Sequence, residues 1–449
     1  MEGRRRGWLR RRARDLTSPL GIADFRRLWV ADMISLLGDW AGRLALAVLV
    51  LDRTGSPGWA AAVTAVSLAG FVGIGQVLAT YADRFGRISV MLVADVARAA
   101  LFGAMLLSVP IGGVLVLAFL AGLASPPFEA ARSAALPDLV PERRYGEALA
   151  LAGISVQASL VVGYALGGGL VAVIGAEGAL AVNAGSFLVS AFLLLGLRGS
   201  KAAQRADQVN TVRTSLGNAG RELFGDKMIR RALSIVAITG ALGTVDEALV
   251  VPYADHVDIP IGLVGLLAAS IPIGTLLGTV LIPTSGEHHR LLRGAAVCTI
   301  LTAAAAVPLY WMEVGALGAF LACIISGGMF AVSIPTNVVI GTRLRRDSRA
   351  SAMGIAVGIL MGSQALGAAL GGVAANVVGA PRAIAGSLAL AALFGVWALL
   401  TSPYEPKHLA GRPRRDRTFE EEAVADDVVI DLRDPKPEPV TIEYQVAFS

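Results

Sequence analysis

Four residues in one apolar stretch, Asp32, Ser35, Asp39 and Arg43, are separated by 3, 4 and 4 positions. In a helix that spacing sets them on one face. At about 1.5 Å per residue, Asp39 lies roughly 16 Å into the stretch, near the middle of a bilayer. A carboxylate at that depth is costly unless it pairs or lines a cavity, and it marks a substrate or proton path. Two readings follow. Arg43, one turn on, could simply hold Asp39 in a structural ion pair. Alternatively Asp39 takes up a proton or a cationic substrate, with Arg43 tuning it and Asp32 lying on the same path.

Other polar residues inside apolar runs extend this set. Asp246 and Glu247 are adjacent in the outer part of a later run, where either could face a central cavity and attract protons or a cation, or stand in water at its rim. Asn183, Asn337 and Gln364 are candidate cavity donors, or interhelical hydrogen-bond partners. Asp95 and Arg98, three apart, are expected to form a structural pair.

A second constellation lies between two apolar runs, in ATYADRFGRISVM from Ala79 to Met91, which holds Asp83, Arg84, Gly86 and Arg87. So short and basic a loop is expected on the cytoplasmic face, where Lys and Arg are retained during insertion. Gly86 supplies the turn. Arg84 and Arg87 can meet carboxylates or lipid phosphate. Asp83 is well placed only if it points at the N-terminus of a neighbouring helix. A purely topogenic basic loop is the plainer alternative. Glu129 and Arg132 close the fourth apolar run, and Glu129 is the expected partner of Arg87.

Positioning these residues falls to membrane helices. The chain has 449 residues, of which 55% are hydrophobic and only 16% charged, too apolar for a soluble globular protein. Twelve apolar runs follow one another, at roughly 28–51, 57–80, 88–109, 111–132, 147–174, 178–197, 230–253, 260–283, 291–312, 315–342, 350–376 and 381–402. Each approaches or exceeds the ~20 residues that span a bilayer as a helix, which argues against a β-barrel. Connections on one side hold Asp52, Glu177, Asp255, Asp258 and Glu313, with Arg53 and Arg382 as their basic residues. The other side carries Arg84, Arg87, Arg143, Arg144, Arg290, Arg293, Arg343, Arg345, Arg346 and Arg349. Both termini are therefore expected in the cytoplasm of a cell whose inner (plasma) membrane holds the protein.

Five segments result: a basic arm over 1–24, six spans over 25–197, a polar cytoplasmic linker over 198–229, six spans over 230–402 and a tail over 403–449 expected to be disordered. The arm has no apolar segment directly after its arginines, so a cleavable signal peptide is not expected. The two membrane parts repeat weakly: Gly163, Leu166, Gly167, Gly168, Gly175 and Ala176 recur at one constant offset as Gly367, Leu370, Gly371, Gly372, Gly379 and Ala380. Paired halves suit a transporter that alternates access about a site between them. PTSGEHHRLLRG, from Pro283 to Gly294, is a degenerate second copy of the Asp83 loop.

Motifs for other chemistries are missing from the sequence. It has no GxxxxGK[ST], HExxH, GxSxG or CxxC, so neither direct ATP use nor an intramembrane enzyme is expected, and no cofactor or metal. Cys298 and Cys323 lie within apolar runs as packing residues.

The Asp83 loop resembles the motif G-x-L-a-D-r-x-G-r-k between the second and third helices of the major facilitator superfamily. Asp83, Arg84, Gly86 and Arg87 match, whereas Ala79, Tyr81 and Ile88 depart from it. FRRLWVADMISLLGDW, FEAARSAALPDLVPE and GYALGGGL extend the resemblance to the twelve-helix drug:proton antiporter branch, which includes macrolide efflux pumps and the enterobactin exporter. Where many antiporters have GPxxGG in the fifth helix, Tyr164 follows Gly163. The resemblance implies an all-α fold of twelve helices in two pseudo-symmetric six-helix bundles. It also implies a cytoplasmic charge network about Asp83 and Arg87 that breaks and reforms as the bundles rock.

The function expected is export of a hydrophobic small molecule, a drug, macrolide-like compound or siderophore, by proton antiport. The partners are that substrate, protons and membrane lipid, without nucleic acid, and the protein is expected to act as a monomer. A lysophospholipid or lipid transporter without proton coupling, or an uptake facilitator for a small solute, is the alternative.

Overall fold

The computed structural model describes residues 16–72, 75, 78, 85–107, 109–197, 220–283, 285–312, 315–345 and 349–401. Asp83, Arg84, most of the basic arm and of the linker, and the tail lie outside the described residues.

Among the described residues every regular element is a helix. The spans are α1 (Ala23–Thr54), α2 (Pro57–Ala69), α3 (Arg87–Met105), α4 (Ile111–Leu139), α5 (145–174), α6 (176–195), α7 (Lys227–His256), α8 (Ile261–Leu281), α9 (His288–Trp311), α10 (Gly315–Arg343), α11 (Arg349–Val378) and α12 (Ala380–Leu400). Ten helical stretches are long and apolar enough to cross a membrane, with α5 and α6 joined as one and α2, of 13 residues, outside that number. The chain is thus a multi-pass membrane protein with the twelve spans expected. We call the side bearing the start of α1 and the end of α12 the terminal face.

No loop separates α5 from α6. The single residue Gly175, at φ 74° and ψ 171°, breaks one helix into two. Gly379 does the same between α11 and α12 at φ 85° and ψ 158°. That region is essentially closed to a residue with a Cβ, which explains why both positions of the repeat are glycine.

The rest of the repeat is a packing device. A Cβ on Gly163 would meet the Leu37 carbonyl at 3.1 Å, and one on Gly167 the Ala41 Cα at 2.8 Å, so α5 lies directly on α1. Gly367 and Gly371 lay α11 on α7 in the same way, against Ala241 and Val245, at the same offset in the chain. Small residues allow this approach where lipid supplies no hydrophobic drive between helices.

Gly168 and Gly372 join the halves. Gly168 on α5 abuts Gly265 on α8, and Gly372 on α11 abuts Gly58 and Ala61 on α2, again as equivalent pairs. Both helix pairs run antiparallel. Their tightest contacts lie toward the face away from the termini, where Ser56 Oγ and the Gly58 N–H also donate to Asn376 Oδ1 at 3.0 and 2.9 Å.

Candidate functional site

Between the halves lies a cavity of about 550 Å³ lined from α1, α2, α3, α4, α5, α7, α8, α10 and α11. Its wall is mostly apolar, with aromatic surface from Trp40, Phe71, Phe128, Tyr164 and Phe330. Charged residues enter it at Asp32, Asp39, Arg43, Arg98, Glu129, Arg132 and Glu247.

The face predicted on α1 exists and opens into this cavity: Asp32, Ser35, Asp39 and Arg43 all line it. Arg43 donates to Asp39 Oδ2 at 3.1 Å, one turn away on the same helix. The Arg43 guanidinium also lies 4.6 Å from the Trp40 ring centroid, an arrangement that favours the cation further. Trp40 in turn packs on Tyr164, ring centroids 5.3 Å apart. The Tyr164 hydroxyl donates to Glu247 Oε1 at 2.6 Å, linking α5 of the first half to α7 of the second.

Closer to the terminal face, Arg132 on α4 donates to Asp32 Oδ2 at 2.6 Å. Arg132, expected in the latch at the membrane surface, instead belongs to the cavity. Asp95 and Arg98 do pair, as their spacing predicts, and Ser190 donates to the second Asp95 oxygen at 2.7 Å. Arg98 is more than structural filler. Its guanidinium lies 4.6 Å from the Phe128 centroid and 4.5 Å from that of Phe187, while the side chain still lines the cavity.

Several sequence expectations are corrected. Arg87 pairs with Asp138, not with Glu129. Both Arg87 and Asp138 stand at the terminal-face ends of α3 and α4, whereas Glu129 is nine residues earlier on α4, roughly 14 Å deeper by helical rise. Glu129 faces the cavity. Gly86 precedes α3 with φ −60°, ψ 130° as its N-cap, so its turn is extended and not left-handed.

Asp246 is neither at a watery rim nor in the cavity: it is 1% exposed, inside the second half. Tyr310 donates to its Oδ1 at 2.6 Å and Ser326 to its Oδ2. Glu247, the next residue, points about 100° away around the helix and does line the cavity. Asn183 is buried against Gly38 and Gly42 of α1, an interhelical packing role, and Asn337 is exposed away from the cavity lining. Gln364 lines the cavity as expected.

Sequence reasoning missed Tyr164, Asp138 and the pair of Asp226 with Arg343. Asp226 caps α7 by accepting from the Met228 and Ile229 N–H groups at 2.7 and 3.2 Å, and Arg343 Nε donates to it at 3.0 Å from the end of α10. Burial acts to raise the Asp226 carboxyl, but Arg343 and the two backbone donors outweigh it and hold it below the usual carboxylate value. Its one advance signal was an Asp a few residues ahead of an apolar run, the pattern of a helix N-cap.

Twelve helices in paired halves about a central polar-studded cavity make a membrane transporter. The chain belongs to the Major Facilitator Superfamily, whose family model matches residues 28–356. Among its relatives are the multidrug efflux pump Tap of Mycobacterium tuberculosis, 28% identical over 374 residues that cover 78% of this chain and 86% of Tap, and an uncharacterized transporter of this superfamily, YfiS of Bacillus subtilis, 25% identical over 361 residues that cover 78% and 87%. In solved structures the fold matches a bacterial homolog of the human lysosomal transporter Spinster, inward-facing and occupied, with TM-score 0.67 at 14% identity over 85% of this chain and 98% of that one. It also matches the nucleoside transporter NupG, with TM-score 0.63 at 16% identity over 85% and 100%. These relatives and neighbours are transporters and not enzymes.

Proposed function

We propose that the chain exports a hydrophobic small molecule across the inner membrane in exchange for protons, as a monomer whose two halves alternate access to the central cavity. The observation that carries this reading is the chain of contacts from Asp39 and Arg43 through Trp40 and Tyr164 to Glu247, set in the wall of a mostly apolar cavity of about 550 Å³. Apolar wall suits a hydrophobic substrate, and intramembrane carboxylates suit proton transfer. The 28% identity to a multidrug efflux pump agrees with export. Both termini are cytoplasmic on this reading, so the terminal face is the side from which substrate enters.

On this reading Asp39 exchanges its proton or the substrate cation against its bond to Arg43. The cycle then acts on a bond between halves, because Tyr164 and Glu247 must part if α5 and α7 are to separate. Arg87 and Asp138 form the terminal-face latch.

The experiment is dissipation of an imposed pH gradient in everted vesicles on adding macrolides, lipophilic cations or siderophores. A response that requires the protein supports proton-coupled export. Absence of any response from well-expressed protein, with lysophospholipid moved at a rate independent of pH, would replace it by uncoupled lipid transport.

A further inference from the structure

A second hollow, an open groove of about 710 Å³, lies near the start of α7 and shares no residue with the central cavity. Helix rotation puts it on the outer side of the bundle. Val357, Leu360, Met361 and Gln364 of α11 face the cavity, whereas Ile359 lines the groove. Ile359 stands two residues from both Val357 and Met361, about 200° round the helix. On α7, Ser234 of the groove has the same relation to Val236 of the cavity. A Cβ on Gly240 would lie 2.7 Å from Leu360, so α7 and α11 are in contact between the two spaces.

The mouth of the groove carries three cations, Lys227, Arg230 and Arg231. Among the described residues none of them has a carboxylate within 4 Å. The neighbouring Asp226 is taken up by its cap and by Arg343. What holds the two guanidinium groups is neutral. Arg230 donates to the Phe224 carbonyl at 2.6 Å and Arg231 to the Ala398 carbonyl at 2.7 Å, the latter lying 4.3 Å from the Trp397 ring centroid of α12. Such contacts fix the side chains and leave their charge uncancelled. At the same face Arg87 and Arg343 do have carboxylates.

Beyond the mouth the wall becomes apolar, with Leu233, Ala237 and Ile359. α7 has 30 residues. That is about 45 Å at the helical rise, close to a bilayer with its headgroup layers, about 40–45 Å. Its first turn therefore stands at the level of the headgroups. Ala237, roughly 15 Å further along, lies among the acyl chains. The groove thus offers cations where a lipid carries its phosphate and apolar surface where it carries its chains.

We propose that this groove binds one anionic phospholipid, with the phosphate on Lys227, Arg230 and Arg231 and an acyl chain along Leu233, Ala237 and Ile359. Charge complementarity selects an anionic lipid over a zwitterionic one, and the apolar wall selects a lipid over a free anion. On the orientation proposed above this is the cytoplasmic leaflet, whose surface is negative. The site is independent of what the central cavity carries.

The test is a binding titration by native mass spectrometry of the purified full-length protein in detergent, with palmitoyl-oleoyl phosphatidylglycerol and with phosphatidylcholine of the same chains. If each cation favours the anionic lipid about fivefold, wild type should prefer it about 100-fold at its tightest site. Lys227→Gln with Arg230→Gln, both exposed positions, should reduce the preference to about fivefold. Unchanged phosphatidylcholine binding would report an intact fold. Removing two charges elsewhere on the terminal face, by Arg143→Gln with Arg144→Gln, should leave the preference at the wild-type level. Glycerophosphoglycerol, the headgroup without chains, should not compete at the concentrations that saturate with the lipid. No preference in wild type, a preference undiminished in the groove variant, or an equal loss in the Arg143 and Arg144 variant would each overturn the proposal. Competition by the bare headgroup at lipid concentrations would overturn it as well, leaving an anion site in place of a lipid site. None of these results bears on export, which the vesicle assay tests separately.

Discussion

Tyr164 of α5 donates to Glu247 of α7 at 2.6 Å, and Glu247 occupies in the second half the position that Arg43 occupies in the first. The equivalence follows from packing: Gly163 and Gly167 seat α5 on Leu37 and Ala41, as Gly367 and Gly371 seat α11 on Ala241 and Val245, at one constant offset. Two equivalent sites of opposite charge thus line one cavity, and Tyr164 bridges to one of them from the other half.

Tyr164→Phe removes the hydroxyl from that bridge and keeps the ring on Trp40. The expected result is a shift toward the state open on the face away from the termini, read as a longer distance between spin labels at Ser56 and Asn376. An unchanged distance distribution would show that α2 with α11 and α5 with α8 hold that face without the bridge.

Ser56 and Asn376 are within hydrogen-bond reach across the halves at 3.0 Å. In a background lacking Cys298 and Cys323, Ser56→Cys with Asn376→Cys should cross-link under mild oxidation. Transport should stop and should return on reduction. Full transport by a fully cross-linked protein would contradict alternating access through this face.

Asp95 is fully buried, with Arg98 on one oxygen and Ser190 on the other. Asp95→Ala leaves Arg98 charged and unpaired between two phenylalanine rings. It is expected to cost about 3–5 kcal/mol, seen as a lower unfolding temperature and poor yield. Asp39→Asn, at a partly exposed pair, should leave the unfolding temperature within a few degrees of wild type.

Asp226 offers a pH test outside the spans. Its carboxyl is held below the ordinary value, burial being outweighed by Arg343 and the Met228 and Ile229 N–H groups. A depressed carboxylate stabilises the fold fully above its unfolded value of about 4 and loses that contribution as pH falls through the folded value. Asp226→Ala should therefore destabilise the protein at neutral pH, by about 1 kcal/mol for the cap alone, read as a lower unfolding temperature. The difference from wild type should shrink below pH ~4. Asp226→Asn, which can still cap, should fall between the two. A difference that does not change with pH would assign the loss to the cap without the ion pair.

What could be read in the sequence was local. Span number and order follow from apolar runs of helix length. The Asp39 and Arg43 pair follows from a separation of one turn, and the Asp95 and Arg98 pair from a similar one. The glycine repeat was visible, but its meaning was not: Gly175 and Gly379 are helix breaks at positive φ, while Gly168 and Gly372 join the halves. Contacts that depend on which helices become neighbours were hidden. Arg132 reaches Asp32 across α4 and α1, Arg87 takes Asp138 instead of Glu129, and Asp246 turns inward to Tyr310 and Ser326 while Glu247 turns to the cavity. Such choices are fixed by helix rotation and depth, which a run of apolar residues leaves open on every side.

The most direct measurement compares wild type with Asp39→Asn in proteoliposomes, following both accumulation driven by a pH gradient and substrate exchange without a gradient. If Asp39 couples protons to export, the variant should lose gradient-driven accumulation and keep exchange. Gradient-driven accumulation at the wild-type rate would contradict that role and leave Asp39 as the structural partner of Arg43.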